Sequence, residues 1–290
     1  MMQRAITKYS EKVIDVAGRT VYCLKDRYSL RIADDCHCSV HTVYIEALKQ
    51  GIYPFRYIRN RDIISLQEQL KLAESAVAVI GAGGLGGQAI VLLARLGIGQ
   101  LIVADYDVFD ETNLNRQALC TIDTLEKPKA AVGSDVVALI NPGVEITAHR
   151  FKLGDGNIEE VISDVDVVID ALDTVRGRNT VENAVRRLSI PMVHGAVAGF
   201  EGHVMTIFPD DRGLAMLYGE TDDSNDTATR PEAVLGVPAI APSVIAAYQV
   251  MEVFKILLSR GRVFRNMMVH IDLEYGRMEE FTFPEEEHNA

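Results

Sequence analysis

The chain has 290 residues, of which 48% are apolar, and its 41 acidic and 29 basic residues give a net charge of −12 at pH 7. That length is enough for one large α/β domain, or for a domain with an appendage. The negative charge argues against a nucleic-acid-binding protein, because such proteins bind phosphates mainly through Lys and Arg.

The sequence also predicts the cellular compartment. The N-terminal segment lacks the apolar stretch of a signal peptide, and four cysteines are too few for a disulfide framework in a chain of this size. We therefore expect a cytoplasmic protein.

The N-terminal segment 1–55 differs in pattern from the rest of the chain. It holds three of the four cysteines and shows no repeated alternation of strands and helices. Residues 39–51 predict a short helix that begins near Ser39 and ends at Gly51, and residues 63–74 predict another. We expect residues 1–55 to form a small helical extension.

Strand and helix patterns alternate from residue 77 onward. The predicted strands are 77–80, 101–104, 144–149, 165–170 and 192–194, with helical segments between them. This alternation predicts an α/β fold with a Rossmann-like, mostly parallel sheet and helices on both faces. Residues 203–209 and 267–273 predict extra antiparallel strands toward the C-terminus.

Two further segments have patterns of their own. The run 237–258 is strongly apolar but contains Gln249, Glu252 and Lys255 at every third position, so it predicts a largely buried helix and not a membrane span. The acidic stretch 210–232 predicts a loop that is functional or disordered, because loops of that length are uncommon in compact domains.

A glycine-rich turn, GAGGLGG, follows the first of the predicted strands. Gly81, Gly83 and Gly86 have the G-x-G-x-x-G spacing, in which the glycines permit a tight turn, the approach of a phosphate, and close contact between helix and strand. A phosphate would meet the N-terminus of the helix that starts near Leu85. Asp105 directly follows the next predicted strand, where an acid holds ribose hydroxyls. The pattern predicts a nucleotide site, but it fits NAD and ATP equally well.

The segment that follows the ribose acid distinguishes the two nucleotides. It contains polar and basic residues in close succession: Asn113, Asn115, Arg116, Gln117, Lys127 and Lys129. Cleaving a phosphoanhydride requires positive charge beside the phosphoryl oxygens, whereas hydride transfer does not. Each base taken singly fits a surface ion pair, but the group favours ATP.

Several motifs, taken in order, resemble those of the MoeB/ThiF/HesA family, the bacterial relatives of ubiquitin-activating enzymes. They are RYIRN (56–60), GAGGLG (81–86), DYD with TNLNRQ (105–117), KPK (127–129), INP (140–142), DVVIDALDT (166–174), RGRN (176–179) and HGAVAGFEGHV (194–204). The resemblance runs from about residue 56 to the C-terminus. It implies a ThiF-type ATP-binding adenylyltransferase domain over residues 56–290.

The resemblance also implies a reaction. Members of that family adenylate the C-terminal glycine carboxylate of a ubiquitin-like sulfur carrier of the MoaD or ThiS type, which ends in Gly-Gly, and release pyrophosphate. The pathways implied are molybdopterin, tungstopterin or thiamine biosynthesis. ATP and Mg²⁺ are the implied cofactors, the carrier is the implied partner, and a homodimer is the implied assembly. A carboxylate needs no general base to attack the α-phosphate, but it needs alignment and cancellation of negative charge.

Roles for individual residues follow from the same resemblance. The implied catalytic residues are Arg59, Arg116, Lys129 and Asp173, with Asp173 as the magnesium ligand and Arg59 reaching the ATP of a partner subunit. The implied nucleotide-binding residues are Gly81, Gly83, Gly84, Gly86, Asp105, Asp107, Asn113, Arg116, Lys129 and Thr174. Taken alone, Asp173 also fits a helix N-cap, and Arg59 fits a surface residue.

The sequence departs from the family pattern in two places. Thr174 follows Asp173 where the family often has Asn, and no cysteine occurs after Cys120, so the paired cysteines that bind zinc in many members are missing. We therefore expect neither a structural zinc nor a thioester step. Cys120 fits a packed core residue better than a catalytic one, and Cys36-His37-Cys38 offers metal-ligand types without a fourth ligand.

Other functions compete with this prediction. Adenylation of another carboxylate or of a tRNA base keeps the same chemistry, although the net charge counts against tRNA. A non-catalytic Rossmann scaffold or an NAD(H) oxidoreductase would not need Arg116, Lys129 and Asp173 together. The sequence does not name the carrier, the pathway or the sulfur donor.

Overall fold

The computed structural model describes residues 1–15, 17–219 and 234–283. Its first part contains helices α1 (Met2–Tyr9), α2 (Asp26–Cys36) and α3 (Val40–Lys49), and strands β1 (Glu11–Ile14), β2 (Thr20–Leu24) and β3 (Tyr53–Pro54). These strands form a small sheet in the order β1-β2-β3, which the prediction of a helical extension missed. They are too short to show a recognisable alternation of apolar and polar residues. The predicted helix is present as α3, and the Ser39 hydroxyl caps it by accepting the Thr42 N–H.

An eight-stranded sheet forms the centre of the remaining chain, in the order β11-β10-β9-β8-β7-β4-β5-β6. Its strands are β4 (Ala76–Ile80), β5 (Gln100–Ala104), β6 (Glu145–His149), β7 (Val167–Asp170), β8 (Met192–Ala198), β9 (Glu201–Ile207), β10 (Met267–Asp272) and β11 (Arg277–Thr282). The five strands from β6 to β8 in this order are parallel, and β9, β10 and β11 are antiparallel to their neighbours. The predicted Rossmann-like class is confirmed. The sequence did not predict β11, because all six of its residues are exposed and it lacks a buried apolar face.

Helices cover both faces of this sheet, as predicted. They are α4 (Leu66–Ala73), α5 (Gly84–Leu96), α6 (Lys129–Ile140), α7 (Ile158–Ile162), α8 (Val175–Leu188), α9 (Ala215–Tyr218) and α10 (Ile240–Leu258). Val77 and Val79 of β4 belong to the hydrophobic layer that contains α5, α6 and α10, whereas Ala78 and Ile80 belong to the layer that contains α7 and α8. The central strand β4 is therefore apolar at every position, as expected for a strand buried on both faces of the sheet.

Helix α10 corresponds to the apolar run at 237–258. It is long and apolar enough to cross a membrane, but ten of its residues are buried inside the protein. Two of the polar residues in this run, Gln249 and Glu252, are fully buried and form hydrogen bonds. Gln249 Nε2 donates to the Asp170 carbonyl at 2.8 Å, and Glu252 Oε2 accepts from Thr206 Oγ1 at 2.5 Å and from the Phe264 N–H at 2.6 Å. These bonds fix α10 against the sheet.

The predicted loop at 210–232 is described only up to residue 219, where α9 occupies residues 215–218. Residues 220–233 and the acidic tail 284–290 lie outside the described part of the chain.

Asn141, from the INP motif, joins the first part of the chain to the sheet. Its side chain is fully buried, and Nδ2 donates to the Tyr57 hydroxyl at 2.7 Å and to the Ala94 carbonyl at 2.8 Å. Its Oδ1 accepts the Gly143 N–H at 3.1 Å. Burial raises the pKa of Tyr57 to about 12, so this phenol stays protonated beside Asn141. One amide thus connects three separate segments.

We predict that Asn141→Ala lowers the free energy of unfolding by about 3 kcal/mol, because each polar group left buried without a partner costs about 1–3 kcal/mol. Urea unfolding followed by circular dichroism measures this loss. The control is Leu139→Ala, since Leu139 is 87% exposed and exposed positions usually change stability by less than about 0.5 kcal/mol. Equal stability of the two variants would contradict the structural role of Asn141.

Candidate active site

The order of strands in the large sheet reverses between β4 and β7. The chain proceeds from β4 outward to β5 and β6, and then crosses to β7 and β8 on the other side. In open α/β sheets ligands bind beyond the carboxyl ends of the strands at such a point. A cavity of about 330 Å³ lies there, lined by residues that follow β4, β5, β6 and β7.

The glycine turn after β4 forms one wall of this cavity. A Cβ atom on Gly86 would lie 1.7 Å from the Gly81 carbonyl oxygen, so only glycine allows α5 to approach the strand this closely. Gly81 has a φ of 95°, and a Cβ there would lie 2.7 Å from the Ala171 oxygen. Gly83 caps α5, and Gly83 and Gly84 line the cavity. The unbonded N–H groups at this helix end favour an anion.

Asp105 at the end of β5 holds the same turn in place. Its Oδ2 accepts the Ala82 N–H at 2.7 Å, and its Oδ1 accepts the Asp107 N–H at 2.8 Å. Asp105 lines the cavity beside Asp107, where a ribose could still use its remaining lone pairs. The predicted ribose acid therefore also fixes the backbone that would hold the phosphates.

Two predicted bases, Lys129 and Arg116, reach the cavity. The Lys129 side chain is 9% exposed, and its Nζ lies 3.2 Å from Asp107 Oδ2. Arg116 is half-buried, and its Nη1 donates to the Thr112 carbonyl at 3.0 Å and to Asn115 Oδ1 at 2.9 Å. Gln117 is buried beside them, and its Oε1 makes no hydrogen bond within the described chain. A buried acceptor without a partner at a cavity wall is suited to a ligand donor.

Asp173 and Thr174 lie on the opposite wall, after β7. The Thr174 hydroxyl accepts the Gly177 N–H at 3.2 Å and caps α8, so the alternative of an N-cap applies to Thr174 and not to Asp173. Asp173 is exposed and lines the cavity. Mg²⁺ usually takes one or two carboxylates together with substrate phosphates. Asp173 fits that pattern, and the described residues contain no cluster of three or more His, Cys, Asp or Glu that could hold a metal ion alone.

Three predicted residues do not line this cavity in the described structure. Gly86 lies behind the turn, where its contribution is the close contact with Gly81. Asn113 is 8% exposed, and its Oδ1 accepts the Asp110 N–H at 3.1 Å, so its side chain holds a turn. Arg59 is exposed on the segment that precedes α4.

Cys120 is packed in the hydrophobic core, as expected, and burial raises the pKa of its thiol. Cys120 belongs to the hydrophobic layer that contains residues of α5 and α6.

The sequence did not single out four residues that line the cavity: Tyr106, Phe151, Lys152 and Arg178. Tyr106 is 56% exposed and Phe151 38% exposed, so both present ring surface near the acidic pair that follows β5. The sequence could have indicated Phe151 and Lys152 as site residues, because they closely follow the predicted strand 144–149. Residues at the carboxyl end of a parallel strand are candidates for ligand contact.

The chain is similar to known proteins in both sequence and fold. The sequence profile of the ThiF family matches residues 57–290. The SAMP-activating enzyme E1 of Haloferax volcanii is 34% identical over 220 residues, which are 75% of this chain and 80% of that protein. The molybdopterin-synthase adenylyltransferase of Salmonella typhimurium is 34% identical over 223 residues, or 73% and 86% of the two chains. The crystal structure of Escherichia coli MccB with MccA-N7isoASN shares the fold, with a TM-score of 0.69 at 20% identity over 80% of this chain and 73% of that one.

We predict that Lys129→Met weakens ATP binding by about tenfold or more, since a hydrogen bond to a charged group contributes about 1.5–3 kcal/mol. Titration calorimetry with ATP measures this. Lys127→Met is the matched control, because Lys127 lies just before Lys129 in the KPK motif and is exposed. If the two substitutions weakened ATP binding equally, Lys129 would have no specific contact with the nucleotide.

Proposed function

The chain belongs to the ThiF family, and we propose that it adenylates the C-terminal glycine carboxylate of a ubiquitin-like sulfur-carrier protein ending in Gly-Gly, of the MoaD or ThiS type. The relatives at 34% identity are named a SAMP-activating enzyme and a molybdopterin-synthase adenylyltransferase. The observation that carries the proposal is one cavity that combines the glycine turn, Asp105, Arg116, Lys129 and Asp173.

These residues match the requirements of the reaction. A carboxylate oxygen of the carrier bonds to the α-phosphorus of ATP, while the bond to the β-phosphate oxygen breaks and pyrophosphate leaves. Both reactants are negative, so the step depends on alignment and on cancellation of charge. Lys129 and Arg116 both line the cavity and would neutralise charge on the phosphates, and the amides at the start of α5 would add partial positive charge. Asp173 would hold Mg²⁺, which neutralises charge on the phosphates when bound.

The nucleotide is oriented from the β5 side. Asp105 would accept the ribose hydroxyls, and its two bonds to backbone amides keep its carboxylate from turning away. Tyr106 and Phe151 line the cavity with partly exposed rings, which suits contact with a base. We propose that the α-phosphate then binds between Gly84 and Asp173, which both line the cavity. We propose a cytoplasmic enzyme of the molybdopterin, tungstopterin or thiamine pathway.

Pyrophosphate release from ATP tests the proposal. The assay uses purified carriers ending in Gly-Gly, and the same carriers lacking the last glycine as the control. Arg116→Ala and Asp173→Ala should each lower carrier-dependent release on the order of a hundredfold, as loss of a charge-stabilising group typically does. Arg176→Ala is a matched charge control, because Arg176 is exposed on α8 outside the cavity. Release that does not depend on the last glycine, or tighter binding of NAD than of ATP, would reject the proposal.

The position of Arg59 supports the proposed homodimer. Arg59 is exposed, whereas its neighbours Arg56 and Arg61 form ion pairs with Asp26 and Asp15 of the N-terminal segment. The segment around Arg59 is thus fixed while Arg59 extends outward, which is the arrangement that action on a partner subunit requires.

Mixing Arg59→Ala with Asp173→Ala protomers tests action across the interface. A mixed dimer then has one complete site, and we predict rescue to about half of wild-type activity per mixed dimer, if Arg59 carries the usual electrostatic weight. Native mass spectrometry should verify that subunits have exchanged. Mixed dimers without activity above either parent would show that Arg59 does not act in trans, and a monomer in sedimentation would reject the dimer itself.

A further inference from the structure

A buried polar cluster lies behind the wall of the cavity that carries Asp173. Its centre is Asp170, the last residue of β7, which is fully buried. Asp170 Oδ1 accepts the Leu172 N–H at 3.0 Å, and Oδ2 lies 2.7 Å from His194 Nδ1 on β8. His194 is also fully buried. A charged carboxylate in such a place requires partners of this kind.

Arg178 of α8 binds the carbonyl group of Leu172. Arg178 Nε and Nη2 donate to the Leu172 carbonyl at 3.2 Å and 2.8 Å. The N–H of Leu172 is therefore fixed by Asp170 and its C=O by Arg178. Because Asp173 is the next residue, the orientation of the Leu172 peptide sets where the backbone of Asp173 begins, and so affects the position of its carboxylate.

Tyr218, at the end of α9, connects Arg178 to His194. Arg178 Nη1 donates to the Tyr218 hydroxyl, and that hydroxyl lies 3.2 Å from His194 Nε2. Since the Asp170 carboxylate can only accept, His194 carries its proton on Nδ1 and leaves Nε2 as an acceptor for Tyr218. Burial lowers the pKa of His194, which keeps the ring neutral and the tautomer defined.

His203 lies beside this cluster, with its Nε2 3.2 Å from His194 Nε2. Burial lowers the pKa of His203 to about 3, so it adds no positive charge there at neutral pH. The hydrogen bonds thus form a closed circuit that runs from Asp170 through His194, Tyr218 and Arg178 to the backbone of Leu172.

We propose that His194 and Tyr218 are positioning residues that set the orientation of Asp173 toward the metal-bound nucleotide. The inference rests on the proposed function of Asp173 as the magnesium ligand. Arg178 Nε lies 3.8 Å from Asp170 Oδ2, so this guanidinium would take over as a donor to Asp170 if His194 no longer donated to it. Arg178 would turn toward Asp170, release the Leu172 carbonyl, and allow the Asp173 turn to move.

Two substitutions of His194 distinguish its contact with Asp170, through Nδ1, from its contact with Tyr218, through Nε2. In His194→Asn the amide nitrogen takes the place of Nδ1 and can still donate to Asp170. In His194→Gln the amide lies near the place of Nε2, so the donor to Asp170 is lost. Tyr218→Phe leaves the His194 bond to Asp170 intact but removes the acceptor for Arg178 Nη1. The two His194 variants keep a polar side chain at a buried position, and Tyr218→Phe keeps the ring of a half-buried one.

Calorimetry gives the main readout, as the ratio of ATP dissociation constants without and with Mg²⁺. We expect this ratio to fall about tenfold in His194→Gln and less than about twofold in His194→Asn, because residues that orient a metal ligand typically change metal affinity by about 10–100-fold. Tyr218→Phe should also lower this ratio of dissociation constants. ATP affinity without Mg²⁺ should stay at the wild-type value in every variant. This measurement needs no carrier, so it remains valid if the proposed carrier reaction fails.

Nitrogen-15 NMR of the histidines supplies an independent signature. The wild-type protein and Tyr218→Phe should both show His194 as the Nδ1–H tautomer. Equal ratios in His194→Asn and His194→Gln, loss of Mg²⁺-free ATP affinity in the variants, or an Nε2–H tautomer in the wild-type protein would each overturn the proposal. If His194→Gln does not fold, as judged by circular dichroism, Tyr218→Phe decides: an unchanged ratio there rejects the inference, and a lowered ratio supports it.

Discussion

The close contact between β4 and α5 is the constraint on which the site depends. A side chain on Gly86 would overlap the Gly81 carbonyl, so glycine is required for the helix to begin directly beyond the strand. Since α5 begins there, its unbonded amides lie at the switch point between β4 and β7, across from the turn that carries Asp173. A looser turn would withdraw the helix end, and with it the partial positive charge, from the place where phosphates would lie.

Two aspartates at the ends of parallel strands organise the turns on either side of that point. Asp105 binds the amides of Ala82 and Asp107, and Asp170 binds the amide of Leu172. Each carboxylate therefore fixes backbone that follows a different strand. Acids in these places have a structural role, because they satisfy backbone amides that the end of the sheet leaves unpaired. The two walls of the cavity thus have a common construction, although only Asp105 lines the cavity itself.

The sequence predicted those parts of the fold and site that a local pattern records. Runs of apolar residues located β4, β5 and β7 closely, and the glycine spacing located the turn between β4 and α5. Side-chain direction after a turn has no such pattern, so the sequence did not predict that the Asn113 side chain accepts the Asp110 N–H and holds a turn. The circuit through His194 and Tyr218 joins residues 24 positions apart, and contacts at that separation become visible only when the sheet is assembled.

Residues of the N-terminal segment 1–55 form ion pairs with two of the arginines that follow it. Arg56 pairs with Asp26 and donates to the Ile140 carbonyl, while Arg61 pairs with Asp15. Asp15 is held in turn by its bonds to the N–H and side chain of Arg19, so Asp15 is a fixed partner for Arg61. Because both flanking arginines are anchored, the chain between them has little freedom, and Arg59 lies exposed on this segment. Such fixation lowers the entropy that a long side chain loses when it reaches a partner's ligand. In the proposed homodimer, Arg59 would act on the site of the partner subunit, although it does not line the cavity described for its own chain.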